Sequence, residues 1–338
     1  MRDVLAFLAI AAATVCAQDI RKARHAVVQV EAVDRALLQC QQLRKRNAPI
    51  GEMRRLRIYQ PYVLVVPGIA ISANGEILTP ALHPRADLRV TVTFHDGEQT
   101  EARIIGTDPL SNLALIRAPV KNRAYLTLST VAPRKDDLVG VIGHDARRMP
   151  VAVRGVVGRD RFPVDIRDLY GVTRGGKIPL ASTFEVKPVA GRPAMGSACI
   201  DERGRLVGVL VGDLPQINIH AALPATRIAR IVRDLRQHHR VIRADFGWKV
   251  VPVSAVVKEQ FQLPASACAV AWVHPRGAAA KAGLERYDII TRLDGRTCAG
   301  PRLFGEAMSD VPPGKPVALE ILRGGSKRTL QVTPDPLE

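Results

Sequence analysis

From Tyr62 onward the chain is a train of short strand-forming runs, broken by turn residues at about ten-residue intervals, and few folds accept that pattern. Residues 63–66, 68–72, 76–79, 89–94 and 102–105 are rich in Val, Ile, Leu and Thr, and the dipeptides Asn74-Gly75 and Asp96-Gly97 between them are strong hairpin turns. Runs at 113–117, 138–142, 151–157, 180–186, 198–200, 206–211 and 217–222 continue the series. So many short strands indicate a mainly β fold of barrel or sandwich type. One helix closes it. Residues 225–239 carry Ile228, Ile231, Val232 and Leu235 at helical spacing.

Past Arg240 the pattern restarts. Residues 246–253 and 270–273 read as strands, 278–282 as a short helix, and 288–293 as a strand ending in the turn Asp294-Gly295. A helix over 301–308 and a hairpin of 317–322 with 329–332 around Gly324-Gly325 complete a small α+β unit. Upstream, residues 25–31 alternate like a strand, and 34–61 interrupt with a Leu-rich, then Arg-rich insertion. The expected division is 1–17, 18–61, 62–240 and 241–338.

The first segment is set apart by composition. Arg2 precedes an apolar run over 4–15, with Val15 and Ala17 at the −3 and −1 positions of a cleavage site. The run falls short of the ~20 apolar residues of a spanning helix. It reads as a secretory signal, which sends the chain to a periplasmic or other extracytoplasmic space. Bulky Val15 before Cys16 argues against lipid attachment. The remaining cysteines, Cys40, Cys199, Cys268 and Cys298, make no metal-binding spacing, so neither a metal nor a cofactor is expected. They read as buried free thiols, although export permits a Cys268–Cys298 disulfide.

The formal net charge is +17, which favours contact with anionic surfaces. The densest basic group is Arg44, Lys45, Arg46, Arg54, Arg55 and Arg57, and no aromatic residue interleaves it as a stacking platform. The chain therefore has the look of a solvated basic loop, not a specific nucleic-acid site. An anionic envelope polymer is the competing partner.

Several stretches, in order, resemble the HtrA/Deg family of exported serine proteases, which carry a trypsin-like double β-barrel followed by PDZ domains. They are Ile69-Ala-Ile-Ser-Ala-Asn-Gly-Glu-Ile-Leu-Thr79, Asp96-Gly97, Gly106-Thr-Asp-Pro-Leu-Ser-Asn-Leu-Ala-Leu-Ile116, Val139-Gly-Val-Ile-Gly143, Gly204-Arg-Leu-Val-Gly208 and Ala221-Ala-Leu-Pro224. The resemblance implies a serine endopeptidase, often assembled as a homotrimer.

The triad residues do not follow. Its chemistry needs a hydroxyl nucleophile, a base, and an acid that orients the base. In the family the His follows Thr-Asn-Asn, the Asp precedes a Leu-Ala pair, and the Ser lies in Gly-Asn-Ser-Gly-Gly-Pro. The matching positions here are Leu82, Asn112 and Met195, the last within Pro193-Ala-Met-Gly-Ser-Ala198. Pro193 has no N–H to give an oxyanion hole, and the usual Gly-Ser-Gly is Val66-Pro67-Gly68. The expectation is a pseudoprotease. The rival reading slips the alignment and uses His83 and Ser197 as a dyad. His144 and His220 read as ordinary isolated histidines.

The C-terminal unit keeps more of its family pattern. A Φ-Gly-Φ loop of a PDZ domain presents N–H groups to a peptide's C-terminal carboxylate, and the peptide adds a strand to the sheet. Phe246-Gly247-Trp248 fits that loop. Val273-His-Pro-Arg-Gly-Ala-Ala-Ala-Lys-Ala-Gly-Leu284 and Asp288-Ile-Ile-Thr-Arg-Leu-Asp-Gly295 resemble the elements that follow it. The resemblance implies binding of peptide C-termini or unfolded segments among Phe246, Trp248, Phe304 and Met308. The carboxylate would rest on the N–H groups of Phe246, Gly247 and Trp248, with Arg243 adding positive charge.

Overall fold

The computed structural model describes residues 23–46, 63–80, 82, 88–145, 147–160, 162–163, 182–214, 218–263, 267–297, 308 and 311–337. The segment read as a secretory signal, the basic stretch beyond Arg46, His83, Cys298 and Phe304 lie outside them. The chain forms two compact units that part between Val241 and Ile242.

The first unit begins with a closed six-stranded barrel. Its strands are β1 (Val27–Asp34), β2 (Val63–Ala70), β3 (Glu76–Pro80), β4 (Leu88–Thr93), β5 (Gln99–Asp108) and β6 (Leu113–Arg117), in the order β1-β2-β3-β6-β5-β4. The upstream strand β1 closes the ring, because Val30 faces Val66 of β2 on one side and Val92 of β4 on the other. Val30, Ile69, Ile77, Val92, Leu115 and Ile116 are each sealed from water, and β6 is buried on both of its faces. Each such side chain contributes about 1.5–3 kcal/mol of transfer free energy. Gly68 is set by packing, since a Cβ there would come within 2.7 Å of Val30 and 2.8 Å of Ile77. The insertion holds a helix, α1 (Arg35–Lys45), directly after β1. Its Leu, Gln, Arg and Lys residues are strong helix formers.

A second barrel follows, with β7 (Leu138–His144), β8 (Pro150–Val157), β9 (Phe162–Pro163), β10 (Ser182–Pro188), β11 (Ala198–Ile200), β12 (Leu206–Leu214) and β13 (Ile219–Pro224). Their order is β13-β12-β11-β7-β8-β10-β9, and β13 also pairs with β10, which closes six strands around Val141, Phe184, Val186, Cys199 and Leu210. Cys199 is a free, buried thiol, as the sequence suggests, and burial pushes its pKa far above the ordinary range. Helix α2 (Ala225–His238) ends where His239 takes a left-handed conformation and donates back to the Leu235 carbonyl at 3.1 Å. Its Arg236 reaches into the first barrel and grips the buried Glu76 at 2.6 and 3.1 Å, while Arg117 holds the same carboxylate at 2.6 Å.

The second unit is a small α+β domain. Its elements are β14 (Ala244–Asp245), β15 (Trp248–Pro252), α3 (Ala255–Gln260), β16 (Cys268–Val273), α4 (Ala278–Lys281), β17 (Ile289–Leu293), β18 (Arg296–Thr297), β19 (Val317–Arg323), β20 (Ser326–Val332) and β21 (Asp335–Pro336). The main sheet runs β15-β16-β17-β19-β20, with β18 on β17, and β14 pairs with β21. Phe246, Val270, Leu284, Ile290, Leu319 and Ile321 lie in its core. Asp288 is buried and bound by both forks of Arg323, at 2.7 and 2.6 Å. Sequence reasoning misses helix α3, although Ser254 caps it by accepting from Val257 N at 3.4 Å. It also misassigns Cys268, which is disulfide-bonded and not a free thiol.

Candidate functional site

The positions at which the resemblance leads one to expect a triad are built by three loops. The first leaves β3. Leu82 is buried, and its carbonyl accepts from Thr107 Oγ1 at 3.2 Å. The second is the turn between β5 and β6. Buried Asp108 caps it by accepting from Leu110 N at 3.3 Å and from the Ser111 hydroxyl. This places Asn112 at φ 53, a left-handed conformation that Asn tolerates well. The third is the turn over 193–197. Ala194 N donates to His144 O at 2.7 Å, Ser197 N to Ala194 O at 3.1 Å, and Gly196 N to Leu210 O at 2.8 Å.

Gly196 ties this turn to the first barrel. Its φ is +89, and a Cβ on it would meet Pro80 at 2.6 Å and the Pro67 carbonyl at 2.8 Å. Asn112 Nδ2 donates to Val211 O at 3.4 Å and lies 4.0 Å from Met195 Sδ. Sequence positions 112 and 195 thus meet in space, while a carboxamide, a thioether and a buried leucine stand at the three places.

The chemistry of that set is limited. A thioether does not attack a carbonyl as an oxygen nucleophile does. A carboxamide carries no charge to stabilise an imidazolium. The N–H groups of Ala194, Gly196 and Ser197 already donate to chain carbonyls, and Pro193 has none. Ser197 is fully buried, and its Oγ has no hydrogen-bond partner. It packs against Gly143, where a Cβ would fall within 2.0 Å of that oxygen. His144 is half-buried and its Nδ1 is without a partner; burial lowers its pKa, only partly opposed by Asp145. His220 Nε2 lies 3.3 Å from Asn218 Oδ1.

In the second unit, Phe246, Gly247 and Trp248 form a tight bend at the entry to β15. Phe246 belongs to the buried core and stacks on Trp248 with ring centroids 4.8 Å apart. Trp248 Nε1 lies 3.0 Å from Met308 Sδ, so these two expected groove residues do meet. Gly247 departs from expectation: its N–H, assigned above to a ligand carboxylate, donates to Asp245 Oδ1 at 2.8 Å. Its φ of +68 explains the glycine, as does Gly277, which a Cβ would approach to 2.9 Å. Asp245 was not singled out from sequence; the signal available was an Asp two residues ahead of a glycine in a turn. Arg243 accepts Leu337 N on its carbonyl at 2.7 Å.

Comparison with known proteins agrees with this architecture. The trypsin-like peptidase domain model matches residues 66–209, and the PDZ domain model matches 244–333. The chain is 24% identical over 274 residues to a probable periplasmic serine endoprotease DegP-like of Brucella suis, covering 79% of this chain and 51% of that one. It is 26% identical over 289 residues to the periplasmic pH-dependent serine endoprotease DegQ of Escherichia coli, covering 82% and 60%. The chain thus spans about half the length of the curated relatives it matches. Among solved structures, the HtrA-type protease AlgW with a tripeptide shares the fold at a TM-score of 0.70 and 20% identity, over 95% of this chain and 97% of that one. A serine endoprotease from Yersinia pestis does so at 0.63 and 20%, with the same coverage.

A double barrel of trypsin-like peptidase type followed by a PDZ domain defines the class. With relatives of the DegP and DegQ kind, the chain is similar to the HtrA family in both of its domains.

Proposed function

We propose that this HtrA-like protein is exported and proteolytically silent, and that it works by holding peptide or unfolded protein segments in its PDZ domain. The observation that supports the reading is the contact of Asn112 Nδ2 with Met195 Sδ at 4.0 Å, an amide beside a thioether at the positions that the family resemblance assigns to acid and nucleophile. The buried, partnerless Ser197 hydroxyl speaks against a shifted dyad. Export is supported by relatives named as periplasmic endoproteases. Peptide holding is supported by the Φ-Gly-Φ bend beside β15, an edge strand among the described strands.

The test incubates the purified full chain with unfolded casein. No release of soluble peptide above buffer is expected. Cleavage that disappears in Ser197→Ala would overturn the silent reading in favour of the shifted dyad. Titration of apolar peptides against the intrinsic fluorescence of Trp248 and Trp272 reports binding separately.

A further inference from the structure

The N–H at the centre of the peptide loop is already taken by a carboxylate of the chain itself. Gly247 N donates to Asp245 Oδ1 at 2.8 Å. The loop cannot easily turn away from that bond. Its carbonyls are tied on the other side, Phe246 O accepting from Ala279 N at 2.9 Å and Gly247 O from His274 N at 2.7 Å. Asp245 is fixed in turn, because it stands opposite Asp335 in the β14–β21 ladder. The charged groups of this corner are Arg243 on the same segment, Asp335 across the ladder, and Lys281, whose Nζ lies 3.2 Å from the Asp335 carboxylate. Asp335 is thereby neutralised, while Asp245 points its carboxylate at the loop.

Resting on the peptide-holding reading above, we infer that Asp245 sets the ligand class of the groove: it turns the site away from free C-terminal carboxylates and toward internal extended segments. A ligand carboxylate seated on Gly247 N–H must first displace Asp245 and then lie beside it. One N–H cannot serve both anions, and like charges a few ångströms apart repel. An internal segment meets no such barrier. It needs the open edge of β15, which pairs only with β16 among the described strands, and an apolar anchor at Trp248 and Met308.

The experiment uses the full chain and one labelled apolar peptide in three forms: free acid, C-terminal amide, and the same residues extended by a neutral, amidated tail. Anisotropy titrations are run on the wild type, Asp245→Ala and Asp245→Asn, with thermal unfolding to verify the fold. In the wild type the amide and the extended form should bind about tenfold tighter than the acid at low salt, a gap that narrows as salt rises. In Asp245→Ala the acid should gain about tenfold while the amide moves less than about threefold. Asp245→Asn keeps an acceptor without charge and should recover most of that gain, which keeps the test open if the alanine variant unfolds. Tightest binding of the acid by the wild type, or acid affinity unmoved in both variants, overturns the inference and leaves the groove standing. Binding of none of the three forms by the wild type removes the peptide-holding reading, and the inference with it.

Discussion

Asn112 and Met195 lie 83 residues apart in the chain, yet their amide and thioether stand 4.0 Å apart. In a working triad an imidazole bridges acid and nucleophile, with a hydrogen bond of ~2.8 Å on each side. A gap of 4.0 Å holds no ring. On the silent reading proposed above, the long Met195 side chain takes up the room that a base would need.

Rebuilding activity should therefore need more than a nucleophile. Met195→Ser alone is expected to leave hydrolysis of an activated ester at background. The triple variant Leu82→His, Asn112→Asp, Met195→Ser should remain weak, because Pro193 still withholds an oxyanion donor. Adding Pro193→Gly should raise the rate by about 10²–10³-fold over the triple variant. A stopped assay with a nitrophenyl ester, alongside thermal unfolding of each variant, measures this. Strong hydrolysis by Met195→Ser alone would show that a base is already at hand.

Ser197 offers a stability test with an unusual sign. Its hydroxyl is buried with no partner, so the fold bears an unmet desolvation cost there. Ser197→Ala should be neutral or stabilising by up to about 1 kcal/mol, a rise in melting temperature of about 2–4 °C. Gly143→Ala should be destabilising by about 2 kcal/mol or more, because its new methyl would collide with residue 197. Calorimetry of both variants reads the two signs.

Glu76 should make the first unit acid-sensitive. Burial alone would raise its pKa, but the hydrogen bonds and charges of Arg236 and Arg117 outweigh burial and hold it below the ordinary carboxylate value. A lowered folded pKa means that the stabilisation is complete above the unfolded value of about 4.3 and is lost as pH falls through the folded one. Glu76→Gln should cost about 1–3 kcal/mol at neutral pH, discounted because both arginines are partly exposed. The gap in melting temperature between wild type and variant should hold down to about pH 5 and close below about pH 4. A gap that widens in acid would refute the assignment.

The disulfide at Cys268 is expected to join Cys298. Non-reducing peptide mapping should return that linked pair, with Cys199 labelled only after unfolding because it is buried. Cys298→Ser should free the Cys268 thiol and destabilise the second unit by about 3 kcal/mol, the loop-closure scale of such a link. Recovery of Cys268 as a free thiol in the unreduced wild type would contradict this.

The period-two runs and turn dipeptides made most strands legible in advance, and the apolar spacing of Ile228, Ile231, Val232 and Leu235 did the same for α2. Their burial in the structure follows directly from that spacing. What escaped were features decided by partners far along the chain. Glu76 opens a run read as a strand, and nothing in that run shows that Arg236 and Arg117 fold onto it. Asp288 reads as the first residue of a strand, and nothing in the run shows that Arg323 arrives from β19 to bind it. Asn112 and Met195 could be identified by alignment, but their contact could not, since nothing in residue spacing reports a distance across two barrels. Asp245 was missed for a different reason: a short local bond consumed a donor that pattern matching had reserved for a ligand.

The grip of Arg236 on Glu76 also orders events in time. Helix α2 is the last element of the first unit to be synthesised, and Glu76 sits on one of its earliest strands. Until that helix emerges, a carboxylate destined for the interior lacks one of its two cations. The first barrel can gather its apolar strands as they appear, but it waits for residues 225–238 before its interior charge is fully neutralised. A fragment that ends before Ala225 would lack that cation, and its first barrel would carry the Glu76 carboxylate with Arg117 as its remaining partner among the described residues.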